Sequence, residues 1–124
     1  MRYGKGFRTI EKYTDIININ LSENCGMLLE CIGNLCANEM FAEENIFYPA
    51  EKIVSHISAL SVYAEHMVII SNDVSRDILQ SYSPETQLYI KAMTEINSRI
   101  SDISDNVIEC VYGIPAAVKG GIPC

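Results

Sequence analysis

Four residues of this 124-residue sequence together carry the donor atoms of a zinc site: Cys36, Glu39, His56 and Cys110. Thiolate, imidazole and carboxylate groups are all ligands of Zn²⁺ in proteins. If the chain forms an antiparallel helical bundle, heights along the bundle can be estimated by counting residues outward from each turn. His56 then lies at the same height as Cys110 and Glu39. Cys36 then lies one turn away. No two of these residues have the close spacing typical of zinc sites, so buried free thiols with a histidine at the rim remain the alternative interpretation. The sequence does not identify a cofactor.

Four carboxylates form a second candidate group, this time for Mg²⁺: Glu39, Glu43, Asp73 and Asp77. Carboxylates that face each other can hold Mg²⁺ for phosphate chemistry. The group resembles the constellation of all-α nucleotide pyrophosphohydrolases. Its spacing departs from that family, because Glu39-x3-Glu43 and Asp73-x3-Asp77 replace the ExxE and ExxD pairs. A solvated acidic surface explains the same residues.

Basic residues near the N-terminus are a candidate phosphate-binding arm: Arg2, Lys5 and Arg8. Cationic side chains of this kind attract anionic ligands, although a solvated, frayed terminus is the alternative. The remaining sequence contains no GxxxxGK or GxSxG motif and no cysteine with an evident histidine base. Nucleophilic catalysis therefore has no visible machinery in the sequence.

The overall composition restricts the partners. Sixteen acidic and nine basic residues produce a formal net charge of −7, which opposes nonspecific binding to nucleic acid. Five scattered cysteines without a CxxC motif favour free thiols in a reducing compartment. No secretory signal is visible, and charged residues interrupt every apolar stretch before it reaches the length of a membrane span. We therefore expect a cytoplasmic protein that binds neither nucleic acid nor membrane.

Helix boundaries are predicted at two internal prolines. Pro49 and Pro84 suit the first turn of a helix, where the N–H that proline lacks would have no partner. Ser83 can cap the second of these helices, and Glu51 and Glu85 would meet the positive ends of the helix dipoles. Near the C-terminus, Gly113 and the proline that follows it predict the end of the last helix.

Between these boundaries, apolar residues recur at spacings of three and four, which predicts helices with a buried stripe. The last segment shows this best, through Tyr89, Met93, Ile96, Ile100, Ile103, Val107 and Cys110. The middle segment adds apolar residues on further faces, which must also be covered. The first segment is predicted to be helical from about Phe7 to Glu44, or to start again at Ser22 after an extended piece.

These patterns predict one all-α domain over residues 1–124. It is an antiparallel bundle of three long helices, or four if the first is broken near residue 21, with an irregular tail from Ile114. Surplus apolar helix faces indicate a homo-oligomer that also binds another protein. The predicted function is that of a non-enzymatic adaptor, scaffold or inhibitor. The alternatives are a small-ligand or metal-binding bundle and a Mg²⁺-dependent all-α nucleotide pyrophosphohydrolase.

Overall fold

A computed structural model describes residues 10, 12–17, 25–74 and 82–120. Within these ranges the chain forms three helices and four strands in the order β1, α1, α2, β2, α3, β3, β4. The bounds are β1 Cys25–Leu29, α1 Ile32–Phe41, α2 Ala50–Tyr63, β2 Ala64–Ile69, α3 Pro84–Ile103, β3 Val107–Val111 and β4 Ile114–Lys119. The predicted all-α bundle is therefore wrong, since the fold is α/β.

Strands β1 and β2 pair in parallel, with Leu28 opposite Val68 and Leu29 opposite Ile69. Helices α1 and α2 form the connection between them, as a parallel pair requires. From residue 25 onward, the first predicted helix is instead a strand followed by a ten-residue helix. The predicted break near residue 21 lies outside the described residues. The predicted middle helix ends at Tyr63 and continues directly as β2. Val68 and Ile69, two of the apolar residues assigned to additional helix faces, belong to this strand.

The three helices pack on one face of the parallel pair and enclose the core. Fully buried side chains come from every helix, among them Ile32, Met40, Ile53, Ile57, Met93 and Ile96. Alternate strand residues such as Leu29 and Ile69 pack against this core. Their neighbours Leu28, Val68 and Ile70 are 37%, 57% and 47% exposed. The outer face of the sheet is therefore apolar and accessible within the described part of the chain.

Helix α3 confirms the boundary chemistry predicted at Pro84. Ser83 is the N-cap and accepts a hydrogen bond from the Thr86 backbone N–H, with Pro84 in the first turn. The predicted start near Pro49 is also confirmed, because α2 begins at Ala50 and has Glu51 in its first turn. Proline favours both boundaries, and at the start of α3 a capping hydroxyl favours the same boundary.

The segment after α3 differs from the prediction. Val107 and Cys110 were predicted to lie on the buried stripe of the last helix, and Gly113 was predicted to end that helix. Instead, β3 and β4 form an antiparallel hairpin. Tyr112 and Gly113 both have positive φ, at 51° and 78°, which is the geometry of a two-residue hairpin turn. The predicted irregular tail from Ile114 thus contains strand β4 up to Lys119.

Candidate functional site

The carboxyl ends of β1 and β2 meet at one edge of the parallel sheet. The Ile70 N–H donates to the Leu29 carbonyl at 2.9 Å, and the Ile32 N–H donates to the Ile70 carbonyl at 3.1 Å. These bonds hold the residue after β1, Glu30, close to the turn of Ser71, Asn72 and Asp73 after β2. Open α/β sheets bind their ligands outside the carboxyl ends of parallel strands. This edge, hereafter the carboxyl edge, is the candidate site.

Two carboxylates lie at the carboxyl edge. Glu30 and Asp73 are both exposed, and each takes part in a further interaction within the chain. The alternation along β1 places Glu30 on the same outer face as Leu28. Carboxylate oxygens are ligands that Mg²⁺ prefers, and Mg²⁺ is commonly held by one or two carboxylates together with the phosphates of a substrate. The donor set at this edge fits that arrangement.

The first turn of α1 brings backbone N–H donors to the same edge. Its N-cap residue, Cys31, has φ 60° and ψ 70° and supplies no side-chain cap. The first intrahelical bond runs from the Leu35 N–H to the Cys31 carbonyl at 3.3 Å. The N–H groups of Gly33 and Asn34 therefore lie in the turn where helix geometry provides no backbone acceptor. Such a turn, at the positive end of the helix dipole, favours anionic ligands.

Cys31 occupies the left-handed region although it is not glycine. A residue of this kind costs roughly 1–3 kcal/mol of backbone strain, and such residues cluster at functional sites. Here the strained residue forms the sharp turn from β1 into α1. Its position between Glu30 and the first turn of the helix marks the carboxyl edge independently of the carboxylates.

Helix α3 contacts both segments of the carboxyl edge, the first turn of α1 and the turn after β2. The Tyr89 hydroxyl donates to the Gly33 carbonyl at 3.3 Å. The side-chain amide of Asn97 donates to the Asn72 carbonyl at 2.8 Å and accepts a hydrogen bond from the Ser71 hydroxyl. A Cβ at position 33 would lie 2.8 Å from the Tyr89 oxygen, so Tyr89 would have to shift, and 3.7 Å from the Asn72 side-chain nitrogen, which is ordinary contact. The first turn of α1, the turn after β2 and helix α3 therefore meet closely at this edge.

The opposite end of α1 carries a different polar cluster. Glu39 is 5% exposed, and it accepts hydrogen bonds from Lys52 Nζ at 2.8 Å and from the Asp15 N–H at 2.9 Å. Lys52 also pairs with the Asp15 carboxylate at 2.7 Å. This hydrogen bond with Lys52 holds the pKa of Asp15 below its ordinary value. The cluster, hereafter the Glu39 cluster, ties the segment before β1 to α1 and α2.

The four candidate zinc ligands do not form one cluster in the described part of the chain. The buried Cys36 thiol lies 3.9 Å from the Met40 sulfur, and burial raises its pKa to about 12. Glu39 is engaged by Lys52, whereas Cys110 is exposed on the β3–β4 hairpin. The buried Nδ1 atom of His56 has no hydrogen-bond partner. Among the described residues, no group of three or more His, Cys, Asp or Glu could hold a metal ion. A ligand role for these four residues stays a prediction.

The structure does not bring the described candidate Mg²⁺ carboxylates together. Glu39 lies in the second half of α1, about 10 Å from its start at a rise of 1.5 Å per residue, and the exposed Glu43 follows the end of the helix. Asp73 lies at the carboxyl edge, by the start of the helix. Asp77 and the phosphate-binding arm of Arg2, Lys5 and Arg8 lie outside the described residues. Of the predicted carboxylates, Asp73 is thus the one that the structure places at the candidate site.

Sequence reasoning missed the other residues of the carboxyl edge. Glu30 follows the apolar run that ends at Leu29, and Ser71, Asn72 and Asp73 follow the run that ends at Ile70. Polar residues directly after short apolar runs are the signal of loops at the ends of buried strands. The signal was available, but it depends on recognising these runs as strands.

Comparison with known proteins identifies one family. The family model described as "CobU: Cobinamide kinase / cobinamide phosphate guanyltransferase" matches residues 1–118. No curated protein matches the chain. The match covers nearly the whole sequence, and both activities in the description are enzymatic. The prediction of a non-enzymatic, coiled-coil-like bundle that acts by protein binding is therefore wrong, and so is its all-α pyrophosphohydrolase alternative. No helix in the described ranges is long and apolar enough to cross a membrane.

Proposed function

This chain belongs to the CobU family of cobinamide kinases and cobinamide phosphate guanyltransferases, and from that premise we propose that it transfers phosphoryl and guanylyl groups to cobinamide. The family match over residues 1–118 is the observation that carries this proposal. The carboxyl edge supports it, because carboxylates and the start of a helix lie together where open α/β sheets bind nucleotides.

The two reactions place the same demand on the site. In the kinase step an oxygen of cobinamide attacks the γ-phosphorus of a nucleoside triphosphate, and the nucleoside diphosphate leaves. In the guanylyl step an oxygen of cobinamide phosphate attacks the α-phosphorus of GTP, and pyrophosphate leaves. Negative charge must be stabilised on the phosphoryl oxygens in both, so catalysis depends on positioning and on electrostatic complementarity.

We assign the phosphate groups to the first turn of α1. The N–H groups of Gly33 and Asn34 would donate to phosphate oxygens, as helix N-termini do in other nucleotide sites. Glu30 and Asp73 would hold the Mg²⁺ ion that accompanies the nucleotide, and this ion would neutralise charge on the phosphates. The basic arm of Arg2, Lys5 and Arg8 lies within the matched range and remains a proposed source of positive charge for the same ligand.

Self-association remains a proposal on changed grounds. Its predicted basis was surplus apolar surface on helices, but the residues concerned include those of β2. The exposed Leu28, Val68 and Ile70 on the outer face of the parallel sheet support it instead, because sheets of parallel strands are usually covered on both faces. A cytoplasmic location likewise remains a proposal, in keeping with free thiols.

The experiment that tests the proposed function is direct product analysis. Purified protein is incubated with cobinamide, Mg²⁺ and ATP or GTP. The corrinoids are then separated, and their masses are measured by mass spectrometry. The expected products are cobinamide phosphate and, with GTP, the guanylylated compound together with pyrophosphate. Samples without Mg²⁺ and samples without cobinamide are the controls. Failure to form either product at saturating substrates would contradict the proposal.

A further inference from the structure

One face of α3 contacts both segments of the carboxyl edge, the first turn of α1 and the turn after β2. Tyr89 and Asn97 lie eight positions apart, close to two helical turns, so they project from the same side of the helix. Tyr89 bonds to the carbonyl of Gly33 in the first turn of α1. Asn97 bonds to Ser71 and Asn72 in the turn after β2. A single helix therefore sets the distance between the first turn of α1 and the turn after β2.

The amide of Asn97 suits this task because it donates and accepts at the same time. Its nitrogen donates to the Asn72 carbonyl at 2.8 Å, while its oxygen accepts from the Ser71 hydroxyl. An aspartate in its place could accept from the hydroxyl, but its ionised carboxylate could not donate to the carbonyl. An alanine could do neither. The chemistry at position 97 is thus specific to an amide.

The residues that Asn97 holds are not part of the core. Ser71 and Asn72 are exposed, whereas α3 is anchored through its buried residues Met93, Ile96 and Ile100. Loss of the two hydrogen bonds would therefore free the turn after β2 and leave the packing of α3 in place. Loops that carry functional groups at a sheet edge need such fixation, because a displacement of 1 Å can reduce a rate by about 100-fold.

Resting on the function proposed above, we infer that Asn97 is a positioning residue for the reaction, with Tyr89 as the corresponding residue of α3 that contacts α1. Asn97 holds the turn that carries Asp73 at a fixed place relative to the first turn of α1. It acts through Ser71 and Asn72 and does not itself touch the nucleotide or cobinamide. The ligand whose binding depends on this arrangement is the Mg²⁺-bound phosphate chain of a nucleoside triphosphate.

The test compares Asn97→Ala, Asn97→Asp and Ser71→Ala with the double variant Asn97→Ala/Ser71→Ala. Ser98→Ala, at an exposed neighbouring position of α3, is the matched control. Three quantities are measured: kcat and KM for the nucleotide, the amide hydrogen exchange of residues 71–73, and the midpoint of urea unfolding. The unfolding midpoint shows whether a variant has lost its fold, and the exchange rate reports on the turn without requiring activity.

A positioning role predicts that Asn97→Ala and Asn97→Asp lower kcat/KM about 10- to 100-fold and speed exchange in the turn at least tenfold. Their unfolding midpoints should match that of Ser98→Ala. Ser71→Ala should have a smaller effect and should add nothing to Asn97→Ala, since both changes remove the same bond. An additional loss in the double variant would overturn the inference, because Ser71 would then act on the ligand directly.

Two further outcomes separate this inference from the proposed function. If the wild-type protein forms no product, the proposed function fails, and with it the assignment of the ligand. The exchange data still decide whether Asn97 fixes the turn. If exchange in residues 71–73 is the same in Asn97→Ala as in the wild type, the positioning role itself is wrong, even in an active enzyme.

Discussion

The two ends of α1 carry the same kinds of side chain in opposite circumstances. At its end, Glu39 is buried and saturated by Lys52 and by the Asp15 N–H. At its start, the exposed Glu30 and Asp73 lie beside a helix turn without a side-chain cap. A buried carboxylate with partners inside the protein contributes to the fold, whereas exposed carboxylates next to backbone donors can also bind a ligand. Burial, not residue type, therefore separates the Glu39 cluster from the carboxyl edge.

The largest expected loss of stability follows from a substitution of Glu39. Glu39→Ala should lower the free energy of unfolding by about 2–3 kcal/mol, because it leaves Lys52 and the Asp15 N–H without their buried acceptor. Urea unfolding followed by circular dichroism measures this loss. Glu44→Ala, an exposed position in the loop after α1, is the control and should change stability by less than about 0.5 kcal/mol. Equal stability of the two variants would show that the Glu39 cluster does not hold the fold.

The close contact between α1 and α3 offers a second test, at Gly33. A Cβ at this position would lie 2.8 Å from the Tyr89 oxygen, so Gly33→Ala must displace the tyrosine and lose its hydrogen bond to the Gly33 carbonyl. The same substitution in a Tyr89→Phe background has room for the methyl group. Gly33→Ala should therefore cost about 1 kcal/mol more in the wild type than in Tyr89→Phe. Unfolding free energies of the four proteins give this coupling, and a value of zero would contradict the described contact.

The smallest expected effect is a change in pH dependence at Asp15. The hydrogen bond from Lys52 holds the pKa of Asp15 below its ordinary value of 3.8. Its contribution to stability is therefore present above pH 3.8 and is lost as the pH falls through the lower pKa of the folded protein. Asp15→Asn should remove this part of the acid-dependent loss. Unfolding measured between pH 3 and 7 should show a shallower decline for the variant below about pH 4, and identical curves would contradict the pairing.

The sequence was sufficient to predict the elements that carry strong local signals. Ser83, Pro84 and Glu85 predict the start of α3. The predicted apolar stripe is confirmed at Met93, Ile96 and Ile100, which are buried, but not at Ile103, which is exposed. Proline at position 49 predicts the start of α2 in the same way. At these places capping, propensity and periodicity agree, so local reasoning is enough.

The strands could not be predicted in this way, for physical reasons. Helix α2 passes into β2 between Tyr63 and Ala64 without a glycine or proline to mark the change. A short apolar run such as Met67 to Ile70 fits a buried strand and a buried helix equally well. In the hairpin, Gly113 suits both the end of a helix and a two-residue turn. The pairing partner decides in each case, and it is distant in sequence.

The candidate site was missed as a consequence. Glu30 and Asp73 lie 43 positions apart, and the parallel pairing of β1 with β2 alone places their loops at one edge. In a helical bundle the same residues would lie at unrelated positions. The zinc candidates were grouped by their heights in that bundle, and the Mg²⁺ candidates by a proposed contact between its helices, so the error in fold class carried over to the site. A correct assignment of β1 and β2 would have indicated Glu30, Asn72 and Asp73 directly.

On the proposed function, the carboxyl edge carries out phosphoryl transfer and the Glu39 cluster maintains the fold. Glu30→Gln tests this division: its kcat/KM for phosphorylation of cobinamide is measured beside its urea unfolding curve and beside the exposed control Glu44→Gln. We expect a loss of about 100-fold or more in kcat/KM for Glu30→Gln, with unfolding unchanged and the control fully active. Activity of Glu30→Gln within a factor of about two of the wild type would contradict the assignment of this edge as the site.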